Sequence, residues 1–115
     1  MSTHGDSDQG FTIETQNDAL MVTTWGFWSA DFVPEFLPAV FAALESRGRG
    51  SLLIIDLKQL RPLRDEGQTA FRTLMTRALT DDQARLELRG ASALTKLQML
   101  RLIRELGAQD RIRVT

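Results

Sequence analysis

Leu52-Leu53-Ile54-Ile55-Asp56-Leu57, residues 52–57, decides the fold. Four apolar residues run without alternation and then meet an acid, which is the pattern of a central strand with helices on both faces of its sheet. The run is far short of the roughly 20 apolar residues that cross a bilayer, so no membrane span is expected. Arg47-Gly48-Arg49-Gly50 separates it from a helix upstream, and a loop with Pro62 leads to a second helix from about Asp65.

In the upstream helix Phe32, Val33, Phe36, Leu37, Val40, Phe41 and Leu44 recur at three- and four-residue steps and form one wide apolar stripe. Ser29 or Asp31 can cap it. Pro34 suits a first turn, whereas Pro38 removes an interior hydrogen bond, so a kink or a late start is expected. In the downstream helix Phe71, Leu74, Met75 and Ala78 are the apolar positions, and Asp65 and Glu66 suit its electropositive start.

Nearer the N-terminus, Phe11 and Ile13 alternate with Thr12 and Glu14, the chain turns at Asn17-Asp18, and Leu20, Val22 and Thr24 resume the pattern. This is a β-hairpin, broken by Gly26. Beyond the second helix, Ala84, Leu86 and Leu88 alternate with Arg85, Glu87 and Arg89, which describes a strand with one wet face, near the sheet edge. Ser92 can cap a final helix over about Ala93 to Leu106, stopped by Gly107, and Ile112 with Val114 suggests a short closing strand. The order β-β-α-β-α-β-α-β implies an α/β fold with a mixed sheet of about four to five strands.

A chain of 115 residues, 43% hydrophobic and 25% charged, suits one globular core, assigned to residues 11–115. Residues 1–10 hold two acids, no Lys or Arg and no apolar run. They read as a disordered tail rather than a signal peptide. There is no cysteine, which removes disulfides, thiol nucleophiles and thiolate metal sites and makes the cytoplasm the expected compartment. Residues 85–115 hold seven basic residues against three acids, while residues 1–46 hold seven acids and no Lys or Arg. The basic residues are interspersed with acids and lack a nucleic-acid motif, so they read as solvated faces, and no nucleic-acid partner is expected.

Catalytic residue types are scarce. His4 is the only histidine and there is no tyrosine, so the usual general bases and nucleophiles are nearly absent. Asp56, Asp65 and Glu66 remain; they would converge near the carboxyl end of the central strand, where open α/β sheets build sites, or serve only to end the strand and start the helix. The glycines at 48 and 50 lie between helix and strand, the reverse of the order a phosphate loop needs. The expectation is a non-enzyme with no cofactor and no metal.

Two features point to binding instead. Trp25, Phe27 and Trp28 cannot easily all face one core, so one is left as an interface anchor or as a plug at the end of the sheet. On the last helix Met99, Leu100, Leu102, Ile103 and Leu106 cover the core arc, whereas Leu94 and Leu97 fall on the polar side with Gln98, Arg101 and Arg104. Those two leucines are left to a partner, a dimer mate or a neighbouring loop.

With Trp25-Gly26 leading into the first helix, Ile54-Ile55-Asp56-Leu57 ending the central strand and a short loop before the next helix, the chain resembles the STAS family (sulfate transporter and anti-sigma-factor antagonist) over residues 11 to 114. The family carries Asp-Ser-Ser-Gly at the start of the second helix, and in antagonists of anti-sigma factors the second serine is phosphorylated to switch binding off. Here the aligned residues are Arg64-Asp65-Glu66-Gly67, so only the glycine is kept and Glu66 stands at the phosphoacceptor position. That carboxylate either serves the helix start or imitates phosphoserine with one charge in place of nearly two.

The resemblance implies a non-catalytic, regulatory protein-interaction module. It docks on a protein partner such as an anti-sigma-type regulator through Arg64, Asp65, Glu66, Gln68 and Thr69, with Leu94 and Leu97 as a second patch. The alternative is a domain of the same layout that takes a small apolar ligand or lipid between helices and sheet.

Overall fold

Six segments of alternating burial form one sheet in the computed structural model, which describes residues 1–47, 51–80 and 85–115. The strands are β1 (Ser2–Gly5), β2 (Gln9–Gln16), β3 (Ala19–Gly26), β4 (Leu52–Leu60), β5 (Arg85–Arg89) and β6 (Ile112–Val114), and they lie side by side in chain order. The first three are antiparallel neighbours; β3 to β6 run parallel. Three helices make the parallel crossovers: α1 (Phe36–Arg47), α2 (Asp65–Thr80) and α3 (Ala93–Glu105).

Because parallel crossovers are right-handed and the strand order never reverses, all three helices fall on one face. The core shows this directly. Phe11, Ile13, Leu20, Val22, Leu53, Ile55, Leu86 and Leu88 point to the helices and join Phe36, Val40, Phe71, Leu74, Met99 and Leu102 in one buried cluster. Ile54 and Ala19 are buried but lie outside that cluster, on the other face. The mixed α/β architecture is as the sequence implies, with two corrections. The apolar run at 52–55 is not covered by helices on both faces; Ile54 is shielded by its strand neighbours Met21 and Glu87. The sheet also has six strands, because Ser2–Gly5 is not a disordered tail. It pairs with β2, and the His4 ring stacks on Phe11 at 4.6 Å.

Local chemistry explains the boundaries. Asn17 takes a left-handed φ of 54° in the β2–β3 turn. A 3-10 turn at Val33–Glu35 precedes α1, so the helix starts late and Pro38 falls within its first turn. Neither Ser29 nor Asp31 caps that start by side chain; the backbone carbonyl of Ser29 accepts from Phe32 and Val33 instead. Ser92 does stand at the cap position of α3, but its hydroxyl donates to Thr95 Oγ1 rather than capping a backbone N–H. After α3, Gly107 at φ 63° closes the helix while the Ala108 N–H donates to the Ile103 carbonyl, a Schellman arrangement. The proposed α1 stop at Gly48–Gly50 and strand position Ala84 lie outside the described residues.

Candidate functional site

Parallel strands β3, β4 and β5 all deliver their loops to the carboxyl end of the sheet, and three loops meet there. The β3 loop brings Phe27, the β4 loop Arg61 to Arg64, and the β5 loop Gly90 to Ser92. The Arg61 N–H donates to the Gly26 carbonyl at 3.0 Å, tying the first two together. The three aromatics divide their work. Trp28 is the plug, fully buried against Phe11, Phe32, Phe36 and Phe71. Trp25 lies on the helix-free face, with its Nε1 donating to the Asp6 carbonyl at 2.7 Å. Phe27 is 41% exposed, with the Arg64 guanidinium 5.0 Å from its ring centre.

Leu63 is the fixed point of this end. Gln98 on α3 grips its peptide groups from both sides, accepting from the Leu63 N–H at 2.8 Å and donating to the Leu63 carbonyl at 2.9 Å. Gln68 Nε2 donates to the same carbonyl at 3.0 Å, and the Gln68 Oε1 accepts from Arg101. Arg101 also pairs with Glu105 at 3.8 Å, and Glu105 with Arg72 at 2.5 Å, so a polar seam runs between α2 and α3. Thr95, fully buried, donates to the Leu60 carbonyl at 3.4 Å. Gly67 packs on Leu63 so closely that an added Cβ would sit 2.7 Å from Leu63 Cδ2. Gly67 is therefore held by packing.

The residues expected to bind a partner do not form one cluster. Gln68 is spent on Leu63 and Arg101, inside the protein's own framework. Arg64, Asp65, Glu66 and Thr69 are exposed at the start of α2. Glu66 shares its side of α2 with Arg77, three turns on, which lies against Phe41 and Glu45 of α1. Leu94 and Leu97 are on the opposite flank, 58% and 63% exposed, each one turn before a residue of the α3 side of the seam: Gln98 and Arg101. The surface thus has an acidic shoulder, the first turn of α2 with Asp65 and Glu66, and an apolar shoulder on α3, Leu94 and Leu97.

The carboxylate trio separates as well. β4 runs four residues past Asp56, which points to the helix-free face and accepts from the Lys58 N–H at 2.9 Å within a β-bulge. Asp65 and Glu66 are on the helix side. Among the described residues no three His, Cys, Asp or Glu side chains stand where they could hold a metal, and no helix is long and apolar enough to cross a membrane. Phe32 and Phe36 of the first helical segment, whose phenylalanines suggested an apolar ligand, pack on Phe11 and Trp28 with ring centres 4.9 to 5.8 Å apart. Compared with protein-family models and with curated proteins, the chain matches none.

Sequence reasoning foresaw the exposed leucines and an exposed aromatic but missed the Gln98–Leu63 grip. Its only signal was a glutamine, able to donate and accept at once, one position after Leu97 on the polar arc.

Proposed function

We propose that this chain is a non-catalytic, STAS-like protein-interaction module that docks a protein partner on the exposed start of α2 and on the Leu94–Leu97 shoulder of α3. The observation that carries the reading is the pair of leucines. They stand exposed one turn apart on a helix whose other side is buried, beside a loop held rigid by Gln98. Apolar anchors on a rigid element are what an interface needs, because little ordering entropy is lost when they are covered. Arg64 over Phe27 adds a flat aromatic and cationic contact at the same end. Glu66 supplies a permanent negative charge where the resemblance places a switchable serine, so the module would stay in one binding state instead of being toggled.

Partner capture with the full chain tests this. Leu97→Asp should abolish recovery of an anti-sigma-type partner while circular dichroism and melting stay unchanged. Glu66→Ser, Glu66→Ala and Glu66→Lys should change recovery in graded fashion. Equal recovery from all four variants would overturn the assigned surface.

A further inference from the structure

Leu94, Leu97, Arg101 and Arg104 step along α3 by three, four and three residues, the spacing that puts side chains on one stripe. All four are exposed. The first two are apolar and the last two cationic, so the apolar patch of the docking surface runs on into positive charge. Lys96 and the half-buried Leu100 border the stripe on the side away from Gln98 and Glu105.

The chain does not balance this charge itself. Gln68 bonds Arg101 and Glu105 bonds Arg72, each pair 33 positions apart, so α2 and α3 run parallel and level. The same offset sets Asp65 level with Gln98, before the arginines, while Glu66 turns to the α1 side of α2 with Arg77. On α3 itself Lys96, Arg101 and Arg104 stand against Glu105 alone. That one carboxylate is divided between Arg72 at 2.5 Å and Arg101 at 3.8 Å. Among the described residues neither Lys96 nor Arg104 pairs with an acid.

We infer that the partner presents an acidic amphipathic helix, with apolar side chains over Leu94 and Leu97 and carboxylates over Arg101 and Arg104. This rests on the docking surface proposed above and adds the chemistry of what covers it. A helix satisfies its own backbone hydrogen bonds, whereas an extended segment laid across α3 finds no ladder to join. From Leu94 to Arg104 the stripe rises about 15 Å, or roughly three turns of a partner helix. The leucines supply the anchor; exposed ion pairs add little affinity each but set the preferred sign, the association rate and the salt dependence. A basic helix would cover the leucines equally well and meet repulsion one turn further on. An anionic bilayer would also attract the arginines, but a flat surface would press Asp65 against its headgroups beside them.

Two synthetic helical peptides of about 15 residues, enough to run the length of the stripe, test this with the full chain. They share one row of leucines and differ in carrying glutamate or lysine beside it. In titrations followed by the backbone amide signals of α3, the glutamate peptide should bind about tenfold tighter or more at low salt, and the gap should narrow as salt rises. The double variant Lys96→Glu/Arg104→Glu, which has no ion pair to lose, should reverse the order of the two peptides, with circular dichroism verifying its fold. Leu97→Ser should weaken both. Equal affinities for the two peptides, both lost in Leu97→Ser, would overturn the acidic partner and leave the docking surface standing. Unmoved α3 signals with either peptide would overturn both, and binding of phosphatidylglycerol vesicles in their place would assign the stripe to a membrane surface.

Discussion

Gln98 holds both polar groups of the Leu63 backbone, accepting from its N–H at 2.8 Å and donating to its carbonyl at 2.9 Å. A glutamine side chain here does what a neighbouring strand does elsewhere, closing a loop that has no ladder of its own. Gln98→Ala leaves the partly buried N–H without its partner and should destabilise the protein by about 1–3 kcal/mol in urea unfolding. Gln98→Glu keeps the acceptor but turns a carboxylate oxygen toward the Leu63 carbonyl, and should be no better than the alanine variant. An unchanged midpoint for both would mean that Gln68 alone secures the loop.

Gly67 sits inside the first turn of α2, where alanine would ordinarily favour the helix by up to about 1 kcal/mol. Contact with Leu63 opposes this. The added Cβ would stand 2.7 Å from Leu63 Cδ2 and 3.1 Å from Leu63 Cβ, and Leu63 cannot swing away without straining the loop that Gln98 grips. Overpacking of this kind typically costs about 1–3 kcal/mol, so Gly67→Ala should be destabilising on balance. A raised melting temperature would show that Leu63 yields freely.

Leu97 and Met99 are two positions apart on α3 and differ fully in environment: 63% against 0% exposed. Leu97→Asp should change folding stability by no more than about 0.5 kcal/mol, as exposed substitutions do. Met99→Ala opens a cavity in the core and should cost about 2–5 kcal/mol. Chemical denaturation of both variants separates a surface leucine reserved for binding from one that belongs to the fold. Substantial unfolding of Leu97→Asp would remove the main support for the docking surface.

Those three predictions show where the sequence was legible. Periodicity placed all three helices and five of the six strands, because the alternation of Phe11 with Thr12 and the stripe of Phe36 and Val40 report burial directly. It could not tell Ile54 from Ile55: both are buried, one under helices and the other among its neighbours on an open face. Asp56 looked like a strand end because acids often are, yet a bulge carries β4 on to Leu60. In the site, solvent-facing leucines betray themselves as breaks in amphipathic order, whereas the Gln98 grip depends on two chain segments that only the fold brings together. The first strand was invisible for a related reason. Ser2-Thr3-His4-Gly5 has no apolar residue to alternate, and its burial comes from one stacked imidazole.

That imidazole gives the last prediction. β1 is a four-residue edge strand with a single neighbour, so its own hydrogen bonds leave it near the low end of local stability. What adds to them is the His4 ring lying nearly parallel to Phe11, 4.6 Å between centres, over a ring that is itself fully buried. Paired rings of this kind contribute about 0.5–1.5 kcal/mol beyond their buried area. His4→Ala should therefore cost about 1 kcal/mol and speed hydrogen exchange at the amides that β1 and β2 share, while β3 to β5 keep their protection. His4→Phe retains a ring and should restore the slow exchange. If the segment were an unattached tail, as its composition suggests, neither substitution would alter exchange in β2.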